Sequence, residues 1–61
     1  MKIKYDQRLE YPQVIYIKER TGYKAYELST GYQWHTDGRK LRDLGTIAVE
    51  SIQEFIEHVL S

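Results

Sequence analysis

Apolar and polar residues alternate in several short runs between the N-terminus and about residue 44, the period expected of strands that bury one face of a sheet. Runs rich in Ile, Val, Tyr and Trp are separated by Thr-Gly or Asp-Gly pairs. Glycine readily adopts the positive φ angles that tight hairpins need, so these pairs predict turns. The pattern predicts antiparallel strands at about residues 2–6, 14–20, 23–28, 32–36 and 39–44.

Pairing these strands tests whether one face is consistently apolar. A two-residue turn at Thr21 and Gly22 places Ile17 opposite Tyr26, and a three-residue loop at 29–31 places Tyr26 opposite Trp34. Because side chains alternate between faces, one face then collects the apolar residues. We expect the core on that face to contain Ile15, Ile17, Tyr26, Leu28, Tyr32, Trp34 and Leu41.

The C-terminal residues follow a helical period. Ser51 followed three positions later by Glu54 is a capping signature, and Ile52, Phe55 and Val59 then share one helical face. These signals predict a helix at about residues 51–60 that covers the sheet. The chain, of 61 residues, is therefore expected to be one small α+β domain, an antiparallel β-meander of three to five strands packed on one face by a single C-terminal α-helix.

The N-terminal alternation of Met1, Ile3 and Tyr5 predicts a short edge strand. A chain of this size buries a thin core, and it has no cysteine for a disulfide. We therefore expect a homodimer that uses the N-terminal segment as its contact.

The sheet face opposite the predicted core is both basic and aromatic. Cations interleaved with rings suit a partner that offers carboxylates or phosphates, although such residues also favour exposed strands for solubility alone. Candidate partner-binding residues on this face are Tyr16, Lys18, Arg20, Tyr23, His35, Lys40 and Arg42.

Candidate chemistry is sparse, and we expect no enzymatic activity, no cofactor and no metal site. His35 lies two positions before Asp37, but aspartate before glycine is typical of a turn. The two histidines have no metal-ligand spacing, and the four glycines are dispersed. The longest apolar run, Val14 to Ile17, is too short to span a membrane, so a cytoplasmic location is expected.

Charge narrows the class of partner. Nine basic and nine acidic side chains give a net charge of zero, but Glu50, Glu54 and Glu57 bring three of the acidic charges to the C-terminus. A net charge of zero disfavours a protein that coats nucleic acid regardless of its sequence. The leading hypothesis is a small binding protein that regulates or inhibits a partner protein by occupying its surface, of the kind that phages and other mobile elements encode and that then acts in the host cytoplasm.

The segment RDLGTIAVESIQEF, residues 42–55, supports an alternative. It resembles the strand-to-helix passage of AP2-type and integrase arm-type DNA-binding modules, with residues 44–47 closing the last strand and Ser51 capping the helix. The spacing between these two features is longer here than in those families, and the chain lacks their strong basicity. The resemblance implies a module that lays its sheet in the DNA major groove and backs it with one helix. On the basic outer face of the predicted sheet, Lys18, Arg20, Lys40 and Arg42 would then lie near phosphates, and Tyr16, Tyr23 or His35 nearer the bases.

Overall fold

Five antiparallel strands and one C-terminal helix make up the fold, described for residues 1–60 in a computed structural model. The class predicted from the sequence, an α+β meander with a single helix, is confirmed. The elements are β1 (Lys2–Tyr5), β2 (Val14–Glu19), β3 (Gly22–Glu27), β4 (Gln33–Thr36), β5 (Gly45–Ala48) and α1 (Ile52–Leu60).

The spatial order of the strands is β4-β3-β2-β1-β5. The first four strands follow one another as a meander, whereas β5 lies beyond β1 at the opposite edge. The chain must therefore cross three strands between β4 and β5. Residues 37–44, hereafter the crossover, make this passage.

The strand predicted at residues 39–44 is wrong, because the crossover uses its backbone groups in turns. Leu41 N–H donates to the carbonyl of Gly38 (3.1 Å), and Leu44 N–H donates to the carbonyl of Leu41 (3.3 Å). The Asp37 side chain accepts a further bond from Arg39 N–H (3.0 Å). Extended structure resumes only at Gly45.

The N-terminal strand is not at an edge, contrary to the expectation from sequence. Ile3 in β1 pairs with Ile17 of β2 on one side and with Ile47 of β5 on the other. The edges of the sheet are β4 and β5. A dimer that adds a strand to β1 is therefore not available to this fold, and the contact assigned to the N-terminal segment needs revision.

The β2–β3 hairpin differs from its predicted register by two residues. Glu19 pairs with Gly22, so the turn residues are Arg20 and Thr21, and Ile15 rather than Ile17 lies opposite Tyr26. A shift of two residues leaves every side chain on its predicted face, because the pleat repeats every two residues.

The β3–β4 hairpin differs by one residue, with larger consequences. The loop has four residues, 28–31, because Glu27 N–H donates to the carbonyl of Tyr32 (2.8 Å). The Glu27 carboxylate holds this loop by accepting bonds from Thr30 Oγ1 (2.8 Å) and Ser29 Oγ (3.2 Å). Trp34 consequently pairs with Ala25 and moves to the face opposite the helix, and His35 moves to the helix face.

The hydrophobic core lies between α1 and one face of the sheet. Ile3, Ile15 and Phe55 are completely buried, and the rings of Tyr5 and Phe55 meet edge to face with centroids 5.5 Å apart. The remaining core consists of buried Val49 and the partly buried residues Tyr5, Ile17, Tyr26, Leu28, Ile47, Ile52, Ile56 and Val59.

Three of the expected core residues lie elsewhere. Tyr32 is 64% exposed and Trp34 is 38% exposed; Trp34 lies in β4, which shifted by one residue, and Tyr32 immediately precedes it. Leu41 is buried, but it lies outside the helix-face cluster and lines grooves with Tyr16. The predictions for Ile15, Ile17, Tyr26 and Leu28 are confirmed.

The predicted helix cap is present. Ser51 Oγ accepts the N–H of Glu54 (3.1 Å), and the Glu54 carboxylate accepts the N–H of Glu50 (2.6 Å). Two backbone donors at the start of α1 are thereby satisfied.

Replacing Phe55 and Trp34 separately distinguishes this core from the one predicted by sequence. Phe55→Ala should lower the free energy of unfolding by about 3–5 kcal/mol, since it removes a completely buried ring. Trp34→Ala should cost only about 1–2 kcal/mol, since much of its side chain is already in water. Urea unfolding followed by circular dichroism measures both, and equal losses would contradict the assignment of Trp34 to the surface.

Candidate protein-binding surface

The face of the sheet opposite α1, hereafter the outer face, is partly covered by the crossover. Leu41 is buried against this face, and its carbonyl accepts a bond from Lys4 Nζ (3.2 Å). Ala25, in the middle of the same face, has no exposed surface. The outer face is therefore a second, smaller packed layer and not the open surface expected from the sequence.

Gly38 allows the crossover to lie flat on this face. Its φ angle is +76°, and a methyl group added at its Cα would collide with the ring of Tyr23. Lys18 Nζ lies 4.9 Å from the centroid of the same ring, within cation–π range. The structure thus brings Lys18 and Tyr23 together, with Tyr23 half-buried beside the crossover.

Two grooves flank Leu41 on the outer face, with volumes of about 410 Å³ and 470 Å³. Tyr16, Lys40 and Leu41 line both of them. The smaller groove extends towards Leu9 and Leu44, and the larger one extends towards β4. Tyr16 and Lys40, two of the candidate residues named from the sequence, therefore border the same two grooves.

An exposed aromatic pair borders the larger groove. The rings of Tyr32 and Trp34 have centroids 5.6 Å apart and planes inclined by 31°. Trp34 lines the groove together with Thr36, Arg39 and Lys40. We call Tyr32 and Trp34 the aromatic edge, since both belong to β4 or to its first flanking residue at the edge of the sheet.

Sequence reasoning missed the aromatic edge because it assigned both rings to the core. The sequence signal for the correct loop length is Glu27 followed by Ser29 and Thr30. The hydroxyls of these two residues donate hydrogen bonds to the Glu27 carboxylate. A loop closed by these bonds holds one residue more than the predicted turn, and that single residue turns Trp34 outward.

His35 lies on the helix face, apart from the other candidate residues. Its Nδ1 is 3.7 Å from Glu19 Oε1, and Lys24 Nζ is 3.9 Å from Glu19 Oε2. These three side chains, with Gln33 and Trp34, line a cavity of about 220 Å³. A histidine oriented by a carboxylate can act as a base, but the residues that line this cavity offer no hydroxyl or thiol nucleophile.

The remaining candidate cations are dispersed. Arg20 is exposed in the β2–β3 turn, and Lys40 and Arg42 are exposed in the crossover. Arg39 pairs with Asp37, its Nε 3.3 Å from Asp37 Oδ2. Within residues 1–60, Lys40 and Arg42 form no ion pair with a carboxylate, so their charges are available to a partner.

The loop after β1 supports the rim of the smaller groove. Arg8 donates side-chain bonds to both carboxylate oxygens of Asp6 (2.9 and 3.0 Å) and a backbone bond of 3.1 Å. These bonds hold the pKa of Asp6 below its ordinary value and raise the pKa of Arg8. Because the pKa of Asp6 is lowered, its carboxylate stays charged at neutral pH, and the pair weakens as acid protonates Asp6.

Comparison of the chain with models of protein families, with curated proteins and with solved structures found no match. No helix in the described part of the chain is long and apolar enough to cross a membrane. Among residues 1–60, no group of three or more His, Asp or Glu side chains is placed to hold a metal ion.

Substituting glycines tests the placement of the crossover. Gly38→Ala should lower the free energy of unfolding by about 1–2 kcal/mol more than Gly31→Ala. Both glycines have positive φ. A methyl group added at Gly38 would collide with a ring, whereas the atom nearest to a methyl group added at Gly31 would be 3.6 Å away. Urea denaturation compares the variants, and equal losses would show that the crossover does not lie on Tyr23.

Proposed function

We propose that this chain is a non-enzymatic binding protein, a regulator or inhibitor that occupies the surface of a partner protein. The aromatic edge is the observation that carries the proposal. It combines a tryptophan and a tyrosine in mutual contact, both exposed, at a sheet edge that is free in the described chain.

Tryptophan and tyrosine are enriched among residues that contribute most to protein–protein binding. They bury a large area while losing little conformational entropy, because each side chain has only two torsion angles. Here Trp34 is further restrained by its place in β4 and by contact with Tyr32. Such a pair is pre-organised for contact, which reduces the entropic cost of association.

Charge favours an acidic partner surface at this site. Lys40 lines the groove beside Trp34 without a carboxylate partner in the described chain, whereas Arg39 in the same groove is paired with Asp37. On the helix, by contrast, Glu54 and Glu57 are exposed. Acidic side chains of the C-terminal segment thus lie on the helix, and a cation lies at the groove. A partner with carboxylates is attracted to the groove.

The alternative, DNA binding through the outer face, has weaker support. A sheet that enters the major groove presents an open face, whereas Leu41 of the crossover is buried on the outer face and Ala25 has no exposed surface. Lys40 and Arg42 still offer charges for phosphates. The same experiment therefore includes a test for nucleic acid.

Capture of the partner from the native cell tests the proposal. The tagged chain should retain a protein that persists after nuclease treatment, and Trp34→Ala should reduce its retention at least about tenfold, as expected for a central aromatic contact. Tyr11→Ala is the matched control, because Tyr11 is similarly exposed at 42% but lies in the loop between β1 and β2.

Circular dichroism of each variant establishes that it is folded before the comparison is made. Loss of every captured protein after nuclease treatment would favour DNA binding instead. Equal retention by Trp34→Ala and Tyr11→Ala would remove the aromatic edge from the proposal.

A further inference from the structure

The backbone of β4 has hydrogen-bonding groups that the described fold leaves free. The bond from Glu27 N–H to the Tyr32 carbonyl marks a hydrogen-bonded pair, and such pairs alternate along antiparallel strands. Trp34 and Thr36 therefore bond to β3, and the N–H and C=O groups of Gln33 and His35 point away from the sheet. Within residues 1–60, no backbone bond beyond the sheet involves either residue.

This edge is short, at four residues, but its side chains do not block pairing. Natural edge strands are commonly blocked by lysine, proline or a bulge, whereas β4 reads Gln-Trp-His-Thr. Its outward backbone groups are flanked by the exposed rings of Tyr32 and Trp34. An edge of this kind is a template for an additional strand.

From these observations we infer that β4 binds an extended acidic segment of a partner protein as a sixth, antiparallel strand. The inference rests on the proposed function and specifies its mode of binding. Antiparallel pairing is the arrangement of every neighbouring pair in this sheet. It lets Gln33 and His35 each exchange both backbone bonds with one residue of the incoming segment.

The side chains of β4 specify the segment. A residue opposite Trp34 forms a non-hydrogen-bonded pair, in which side chains approach most closely, so an aromatic residue fits there. Two positions earlier in the segment, a residue opposite Thr36 lies on the same face, next to Arg39 and Lys40. A carboxylate fits at this second position, so the segment reads acidic, any residue, aromatic.

A second copy of this chain fits the edge less well. Its own β4 contains no carboxylate, and the adjoining Asp37 is already paired with Arg39. Pairing of two copies through β4 would leave Lys40 without a counter-charge. A foreign acidic segment satisfies the backbone groups, the exposed rings and Lys40 together.

The probe is the blocked peptide TTETFTT, which has the required spacing. Titrated into the ¹⁵N-labelled full chain, it should shift the amide signals of Gln33 and His35 and slow their hydrogen exchange. The peptide TTEFTTT has the same composition but places its glutamate and phenylalanine on opposite faces of the strand, and it should bind at least about fivefold more weakly. The peptide TTKTFTT replaces the acidic residue with lysine and should be weakened to a similar extent.

Proline substitution tests the backbone bonds directly. His35→Pro removes an outward N–H without removing a bond to β3, and it should weaken peptide binding about tenfold, whereas His35→Ala keeps that N–H. Thr46→Pro is the control at the other edge. The backbone groups of Ile47 bond to β1, so those of its neighbour Thr46 point away from the sheet. Thr46→Pro therefore removes an equivalent outward donor at β5 and should leave binding unchanged. If His35→Pro fails to fold, Gln33→Pro replaces it, with Gln33→Ala as its control.

Several outcomes would overturn strand addition. Strand addition is wrong if the peptide does not bind, if it binds without slowing exchange at Gln33 and His35, or if TTEFTTT binds equally well. It is also wrong if raising the protein concentration alone produces the same shifts, since that result would indicate a second copy of the chain. If Trp34→Ala abolishes partner capture from the cell while the folded proline variant retains it, the proposed function stands and strand addition fails.

Discussion

Pairing of β1 with both β2 and β5 is the constraint from which the rest of the structure follows. Ile3 lies at the centre of this arrangement, completely buried and flanked by Ile17 and Ile47. Because β5 must reach β1 from the far edge of the meander, the chain has to cross the outer face. Since β5 immediately precedes α1 in the chain, its pairing with β1 starts the helix beside β1, and α1 packs over the strands that contain Ile3 and Ile15.

The crossover gives this small chain a second layer of packing. Leu41 and Ala25 are buried on the outer face, and Lys4 bonds to the crossover backbone. A chain of this length buries little surface, so covering both faces of the sheet contributes substantially to its stability. The crossover also leaves less of the sheet face open to a partner. The candidate interaction site therefore lies at the β4 edge and not on the face of the sheet.

The β4 edge combines features that a purely structural strand would not need. An exposed tryptophan leaves apolar surface in water, and an unprotected edge invites pairing. Both occur at the same place, beside the cations of the crossover. Their coincidence is explained if a partner covers them, since the rings then lose water and the backbone groups gain bonds.

The sequence by itself determined the first four strands, the C-terminal helix with its cap, and much of the helix-face core, but it placed a strand at 39–44 instead of β5. Period-two alternation and a capping serine are local properties, so β2, β3, α1 and residues such as Ile15 and Phe55 follow from neighbouring residues alone. Tyr16, Lys18 and Tyr23 were also placed on the correct face, because an error of two residues in register does not change the face.

Only the tertiary structure decided where β1 and β5 lie and which way Trp34 and His35 point. The position of β1 depends on contacts with strands distant in sequence, which no local pattern encodes. The direction of Trp34 depends on a single extra loop residue, stabilised by bonds from Ser29 and Thr30 to Glu27. Because the pleat has a period of two, that one residue exchanges the two faces of β4 and converts an expected core residue into the centre of the candidate site.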